Sequence, residues 1–294
     1  MNRMNQIWGV LVLFAGLLIS CTTTGTTPAV NVLPSPSEPA KKLITKVIEV
    51  VLPRLIKEDV TYADGTLSQA SVLTYDTKGN LVREELFNHR RALVLSKNYQ
   101  TSSDGSTQTI TTTTPTGEVQ GIDVRQLDDK GQILKETLFS DKKEIQSIAE
   151  YSWDKDGIML LWISKNPDNK VIITTKYAVQ DGKVTAIEIL DSENKVMKHF
   201  DQQWNDQGLL VEKTEIDPSA GVLSIIEYHY QDKLLLREDY LKADGTTIRS
   251  IEYIYKDLNL PDEIRLLDKK GQVNEIHKNV YQVFSHPETI QVLE

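Results

Sequence analysis

The turn Asp154-Lys155-Asp156-Gly157 and the strand-like run Val171-Ile172-Ile173-Thr174-Thr175-Lys176-Tyr177 decide the fold class of this chain. An aspartate opens a turn by bonding its own backbone, and a glycine supplies the positive φ that ends a hairpin loop of three to five residues. β-branched and aromatic residues are enriched in strands. Together the two segments predict strands joined by tight hairpin turns.

Glycines mark such turns along the chain at a regular spacing. From residue 65 onward there are 12 glycines, and 11 of them fall on one grid of 17 positions; Gly121 alone lies off it. The first eight steps alternate between 14 and 12 residues, and 16 steps cover 206 residues. The grid runs Gly65, Gly79, Arg91, Gly105, Gly117, Gly131, Lys143, Gly157, Asn169, Gly182, Asn194, Gly208, Gly221, Lys233, Gly245, Asn259, Gly271. Internal periodicity of this kind indicates a repeat architecture.

The grid predicts an all-β protein built from hairpins of about 26 residues, because two successive steps add up to one hairpin. Helices are disfavoured, since turn residues recur too often and no 3.6-residue apolar stripe persists between them. A chain that always turns back on itself forms a long antiparallel meander, here of roughly 18–20 strands. A flat sheet that wide is unusual, so we expect it to be twisted or curled.

The N-terminus predicts export. A polar start with Arg3 precedes an apolar run from Ile7 to Ile19, and Ser20 stands before Cys21, the only cysteine. This order is typical of a signal peptide over residues 1–20. Thirteen apolar residues are too few for a membrane-spanning helix, which needs about 20. A secreted protein with an incidental Cys21 is the other alternative.

Ser20-Cys21 resembles the lipobox of bacterial lipoproteins. The resemblance implies that Cys21 becomes the lipid-modified first residue of the mature chain, bearing palmitate or similar acyl chains and held at a membrane. Thr22 is not the aspartate that retains enteric lipoproteins at the inner membrane. We therefore expect a lipoprotein of the outer membrane, on its periplasmic or surface face, rather than of the inner membrane.

Composition divides the mature chain in two. Residues 21–41 hold the lipid-attachment site and a disordered Thr/Ser/Pro-rich tether, and residues 42–294 form a single β-repeat domain. Removing residues 1–20 leaves 32 basic and 42 acidic residues, a net charge of −10. This charge opposes binding to nucleic acid.

Aromatic residues stand just before every second turn, at Tyr75, Trp153, Trp204, Tyr230, Tyr255 and Tyr281, and we call this set the ladder. Tyr75-Asp76-x-x-Gly79 and Tyr151-x-Trp153-Asp154-x-x-Gly157 resemble the tyrosine–aspartate (YD) repeat of Rhs-type proteins. The resemblance implies an elongated or shell-like β-architecture, often at a cell surface, without a catalytic residue. The ladder is the candidate site for stacking on a sugar ring or an apolar ligand. The alternative is that it packs one face of the sheet.

No motif predicts a reaction, a cofactor or a metal. Asp154-x-Asp156-Gly157 lacks the further ligands of a calcium loop, and the five histidines are scattered as ordinary side chains on strands. We therefore expect a lipid-anchored, non-catalytic structural or binding surface of the envelope. The alternatives are a periplasmic carrier of lipid or another amphiphile in a curled-sheet groove, and a glycan-binding or glycan-processing protein. Its expected partners are the membrane, through the lipid, and a protein, glycan or amphiphile.

Overall fold

A computed structural model describes residues 43–293 of the chain. The predicted signal peptide, Cys21, the tether and Lys42, the first residue of the predicted domain, lie outside the described residues. Within residues 43–293 every regular element is a β-strand, which confirms the all-β prediction. No helix in this range is long and apolar enough to cross a membrane.

The described chain forms 18 strands. Strands β2 to β17 have 7 to 11 residues, whereas β1 has 20 and β18 has 21. Their bounds are β1 Leu43–Tyr62, β2 Leu67–Tyr75, β3 Leu81–Asn88, β4 Leu93–Thr101, β5 Thr107–Thr113, β6 Val119–Leu127, β7 Ile133–Ser140, β8 Ile145–Trp153, β9 Met159–Lys165, β10 Val171–Gln180, β11 Lys183–Leu190, β12 Val196–Trp204, β13 Leu210–Asp217, β14 Gly221–Gln231, β15 Leu234–Lys242, β16 Thr247–Tyr255, β17 Pro261–Asp268 and β18 Val273–Leu293.

The strands form one antiparallel meander that closes on itself. Each strand pairs with the next one in sequence, and β1 also pairs with β18. The result is a closed 18-stranded β-barrel, and the strand number lies within the predicted range. Closure removes the free edges that an open sheet of this width would present to other chains.

The turns confirm the glycine grid. Sixteen of its 17 positions have a positive φ, and at Lys233 the positive φ falls on the preceding Asp232 instead. Gly121, off the grid, lies inside β6 and has no positive φ. Asp76 shows how such a turn is held, because its Oδ1 accepts the backbone N–H groups of Lys78 and Asn80, both at 2.9 Å. Side-chain bonding of this kind favours the turn over continued strand.

A β-bulge recurs near the start of the strands. Sixteen of the 17 successive strand pairs contain a register shift, and only β4–β5 is regular. In β7, for example, Leu127 pairs with Ile133 and Gln126 with Lys135, so that Leu134 is the extra residue. A bulge increases the local twist and bends the strand. Repetition around the sheet therefore supplies curvature that closure requires.

Side chains alternate between two faces of the sheet. The aromatic face carries the ladder, and it includes Tyr151 and Trp153 on β8. The opposite face carries ion pairs such as Arg83–Glu85, at 2.6 Å, and Arg237–Asp239, at 2.8 Å. Most strand residues are half-buried, and the strands contact mainly their neighbours in the sheet. Stability therefore comes mainly from cross-strand pairs and turns.

Candidate functional site

The structure places all six ladder residues half-buried on the aromatic face. Five of them donate a hydrogen bond to the backbone carbonyl oxygen 20 residues earlier. These bonds are Tyr75 to Leu55 at 2.8 Å, Trp153 to Ile133 at 2.8 Å, Trp204 to Val184 at 2.8 Å, Tyr255 to Leu235 at 2.7 Å and Tyr281 to Pro261 at 3.0 Å. Trp153, Trp204 and Tyr255 thus reach from the end of their own strand to the start of the preceding strand, where the polar atom of the ring satisfies a carbonyl group beside a turn. Leu55 and Tyr281 lie within the long strands β1 and β18.

A second set of tyrosines lies on the same face, and two of them, Tyr151 and Tyr253, stand two residues before a ladder residue. Tyr99, Tyr151 and Tyr253 each donate their hydroxyl to a glutamate 15 residues earlier. The three bonds are Tyr99 to Glu84 at 2.9 Å, Tyr151 to Glu136 at 3.0 Å and Tyr253 to Glu238 at 2.7 Å. The aromatic face therefore repeats a tyrosine–carboxylate pair, and is not a purely apolar surface.

Glu238 is the most buried of these carboxylates, with the residue only 8% exposed. Its two oxygens accept hydrogen bonds from Tyr240 and Tyr253, both at 2.7 Å. Burial, and then the bond to Glu238, raises the pKa of Tyr240 to about 12. Burial and the same carboxylate also raise the pKa of Tyr253. Both hydroxyls thus remain donors across the physiological range, and the buried charge is satisfied by neutral partners.

A second cluster joins two acids through Arg125. The guanidinium contacts Oδ2 of Asp123 through Nη2 and Oε1 of Glu136 through Nε, both at 2.9 Å. Burial, together with a hydrogen bond to Glu136, raises the pKa of Asp123. Burial acts in the same direction on Glu136, but the bond from Asp123 and the charge of Arg125 hold its pKa below the ordinary value. Arg125 thus lies between the two carboxyl groups and contacts both of them.

In glycoside hydrolysis two carboxyl groups about 5 to 10 Å apart flank the bond that is cleaved. Here Arg125 contacts both acids, so its guanidinium occupies the place where a substrate would have to lie. Asp123 Oδ1 is a buried oxygen without a hydrogen-bond partner in the described residues. A separate depression lies at one end of the sheet, beside the turn between β5 and β6 and the turn after β7, and is lined by Thr114, Glu118, Val119, Gln120 and Asp141. The tyrosines, carboxylates and Arg125 thus place charged groups and hydrogen-bond donors along the aromatic face.

The tyrosine–carboxylate pairs were not recognised in the sequence, although a signal exists. Leu81-Val82-Arg83-Glu84, Ile133-Leu134-Lys135-Glu136 and Leu235-Leu236-Arg237-Glu238 share one pattern, and a tyrosine follows each glutamate after 15 residues. Two acidic residues that are adjacent in sequence do not indicate such a site, because neighbouring residues on a strand point to opposite faces. The informative feature is the spacing from acid to tyrosine, which needs the hairpin register.

Three histidines lie between two carboxylates each. His199 contacts Glu188 at 3.7 Å and Asp201 at 2.8 Å, and His229 contacts Glu227 at 3.9 Å and Asp239 at 3.0 Å. His277 is held by Glu58 at 2.7 Å and Glu275 at 2.9 Å. In residues 43–293 no group of three or more His, Cys, Asp and Glu side chains has the geometry to hold a metal ion. His89 lies in the turn after β3 rather than on a strand.

Comparisons with known proteins return similar strand arrangements but no family. No family model matches the chain, and no curated protein matches it. A solved porin-like protein from Bacteroides uniformis is 8% identical and covers 78% of this chain and 98% of its own, with a TM-score of 0.42. A porin-like protein from Bacteroides vulgatus is 13% identical over 78% of this chain and 98% of its own, with a TM-score of 0.36. In the TcdB2-TccC3-Cdc42 structure, the match is 13% identical and covers 80% of this chain but 15% of the other, with a TM-score of 0.30.

Proposed function

We propose that this protein is an envelope lipoprotein whose β-barrel stands in water, tethered to a membrane through Cys21, and serves as a non-catalytic structural or binding surface. The observation that carries this proposal is that charged side chains occupy both faces of the barrel. Arg125 and Glu136 lie on the aromatic face, and Arg237 and Asp239 lie on the opposite one.

A barrel that crosses a bilayer needs an apolar outward band about 25 Å tall. A charged side chain on the lipid face costs about 2–4 kcal/mol at the bilayer midplane. Whichever face of this barrel is the outer one, it carries several ion pairs along the strands. Their summed cost supports a barrel outside the hydrocarbon region. Membrane attachment would then depend on the lipid at Cys21.

The hydrogen bonds of the ladder residues support a structural role for their aromatic rings. Five of the six ladder residues donate a hydrogen bond from their polar atom to a backbone carbonyl group, as expected for rings that join the two strands of a hairpin. Carboxylates such as Glu84 and Glu238 among these rings disfavour an amphiphile carrier, because a lipid chain would bury them without water. We also propose that the array is of the YD type, on the strength of the ladder residue and the aspartate that follows it in Tyr75-Asp76 and Trp153-Asp154.

The proposal is tested with Cys21→Ala in the producing bacterium, using wild type as the control. Palmitate labelling and membrane fractionation with an alkaline carbonate wash are measured on both. We expect the variant to lose the label and to appear in the soluble fraction, or to stay uncleaved, because one thioether site carries the anchor.

Three results would contradict the proposal. Continued labelling of Cys21→Ala would remove the lipoprotein assignment. A variant that is processed and unlabelled, yet resists the carbonate wash with the membranes, would mean that the barrel itself is embedded. Wild type that carries no label at all would leave Cys21 as an incidental cysteine.

A further inference from the structure

The barrel closes at one seam, between β1 and β18. Every other strand pair in residues 43–293 is joined by a short turn, whereas these two strands come from opposite ends of the domain. Backbone contacts across the seam include the N–H of Ala63 with the carbonyl of Asn274 at 3.1 Å. The hydroxyl of Thr61 also donates to the carbonyl of Ile276, at 3.4 Å. Without a connecting turn, the seam depends on such contacts alone.

His277 crosses this seam. Its Nδ1 lies 2.7 Å from Oε1 of Glu58, 219 residues earlier in the chain, and its Nε2 lies 2.9 Å from Oε1 of Glu275 on its own strand. A carboxylate can only accept a hydrogen bond, so both ring nitrogens must be donors. Only the protonated imidazolium has two N–H groups. The geometry thus specifies the charged form of His277.

We propose that His277 is a protonation-dependent latch, which joins β18 to β1 while it is charged and weakens barrel closure when it loses a proton. The neutral ring has one N–H, so one of the two carboxylates loses its hydrogen bond. Glu58 and Glu275 would then face each other across a half-buried neutral ring. Their repulsion acts directly on the seam.

The surroundings of His277 fix the sign of the pH dependence. Burial lowers the pKa of the ring, but the hydrogen bonds that it donates to Glu58 and Glu275 outweigh this effect, and the pKa of His277 is raised. From β17 the residue opposite is the uncharged Ile264, and from β2 the residue beside Glu58 is Ser71. A raised histidine pKa stabilises the folded form fully below the unfolded value of about 6.5, and this stabilisation is lost as pH rises through the folded pKa.

His199 is a matched control within the chain. It also lies between two acids, Glu188 on β11 and Asp201 on its own strand β12. A short turn connects β11 to β12, so these strands stay adjacent whatever the charge of His199. A rise in pH should therefore leave the pair of β11 and β12 protected, whereas it should weaken the pair of β1 and β18 through the deprotonation of His277.

The test is amide hydrogen exchange followed by mass spectrometry on the full-length protein at pH 6, 7 and 8. Protection factors, which correct for the intrinsic pH dependence of exchange, are compared between seam peptides from β1 and β18 and peptides from β11 and β12. We expect seam protection to fall about ten-fold from pH 6 to pH 8, as for the loss of one hydrogen bond to a charged group. Protection of β11 and β12 should change much less.

Two variants separate the latch from a general effect of pH. His277→Gln cannot titrate, so its seam protection should be nearly independent of pH, whereas His199→Gln should keep the wild-type response. If His277→Gln does not fold, Glu58→Gln removes the cross-seam acceptor charge and should reduce the pH response in the same way. An unchanged pH response of the seam in a folded His277→Gln or Glu58→Gln protein would overturn the proposal, and so would equal responses of seam and control peptides in wild type.

Discussion

Strands joined by turns and the strands of the closing seam reach their pairing by different routes. Each hairpin from β1 to β18 brings together residues only a few positions apart, as in Asp76 and Asn80 around Gly79. The seam joins Glu58 to His277 across 219 residues. Closing a flexible loop costs about 2 kcal/mol for 10 residues and about 5 kcal/mol for 200, before a constant term.

The difference means that hairpins can form one by one, whereas the seam needs the whole array first. In repeat structures each unit contacts mainly its neighbours, so stability adds up along the chain. The seam is the exception, because it requires an even number of strands and enough accumulated curvature to bring the ends together. Local sequence controls the hairpins. Closure of the seam depends on the curvature that all the hairpins contribute together.

Deleting strands from the middle of the chain is the strongest test of this difference. Removal of residues 131–156 takes out β7 and β8 and joins Lys130 to Gly157, which restores a turn of the form Asp-Asp-Lys-Gly. Sixteen strands remain, and β1 still meets β18 antiparallel. We expect a folded barrel with a cooperative melting transition and a somewhat lower Tm, because one unit and its interface are lost.

Removal of residues 131–142 is the matched control for that deletion, since it takes out β7 alone. All later strands then reverse direction, and β18 would meet β1 in a parallel orientation at the seam. Side chains on misplaced strands would also expose their buried set to water. We expect misfolding or aggregation, seen as loss of a cooperative transition and of soluble protein. Better tolerance of the shorter deletion would show that the unit is one strand and that closure is dispensable.

Substitution of turn glycines tests the hairpins, and its expected effect on stability lies between that of the strand deletions and that of the loss of one hydrogen bond. Gly157 has a φ of +87°, and an added Cβ would lie 3.0 Å from Nε2 of Gln132. Gly157→Val should cost about 2 kcal/mol, since a β-branched residue is strained in this region. For a chain of this size that corresponds to a fall of about 4–8 °C in Tm. Thermal melts by circular dichroism measure the change.

Gly121→Val serves as the comparison outside the turns. Gly121 is in extended backbone, although an added Cβ would lie 3.2 Å from the carbonyl oxygen of Phe139, so some cost remains. We expect Gly121→Val to cost about 1 kcal/mol or less in stability, because valine is favoured in strands.

Gly131→Asn tests the effect of the backbone conformation alone, since φ is +78° and nothing lies within 4 Å of the added Cβ. Asparagine tolerates this conformation, so its Tm should stay close to wild type. If Gly157→Val and Gly121→Val lowered Tm equally, the positive φ of the turn would not be a specific requirement for stability.

The smallest expected effect concerns the ladder hydrogen bonds that join the two strands of a hairpin. Tyr255→Phe removes the 2.7 Å hydrogen bond to the carbonyl of Leu235 and should cost about 1 kcal/mol, or about 2–4 °C in Tm. Tyr230 occupies the preceding ladder position, but its hydroxyl has no hydrogen bond within residues 43–293. Tyr230→Phe should therefore leave Tm almost unchanged. Equal shifts in the two melting curves would mean that ladder hydrogen bonds add nothing beyond ring packing.

Several features of the fold could be predicted from the sequence because they are local. A glycine, or an asparagine such as Asn169, adopts a positive φ at low cost, so the turn positions are visible without any partner strand. Lys233 is the informative exception. In the two-residue link between Gln231 and Leu234 the positive φ falls on Asp232, one residue before the grid position.

The tyrosine–carboxylate pairs could not be predicted in the same way. Glu84 and Tyr99 lie on different strands, and their contact requires that β3 and β4 pair in one particular register. A bulge of one residue in most hairpins alters that register, and bulges leave only a weak trace in the sequence. The candidate site was therefore hidden even though all its residues lie on predicted strands.

The sequence by itself determined the strands, the turns and the hairpin period, because backbone preferences and alternating side chains act over a few residues. Only the tertiary structure decided that the meander closes, and that Glu58 and Glu275 hold His277 between them at the seam. Closure depends on the summed twist and curvature of 18 strands, a quantity to which every hairpin contributes a little. No short segment encodes it, and contacts across 219 residues therefore appear only when the whole sheet has formed.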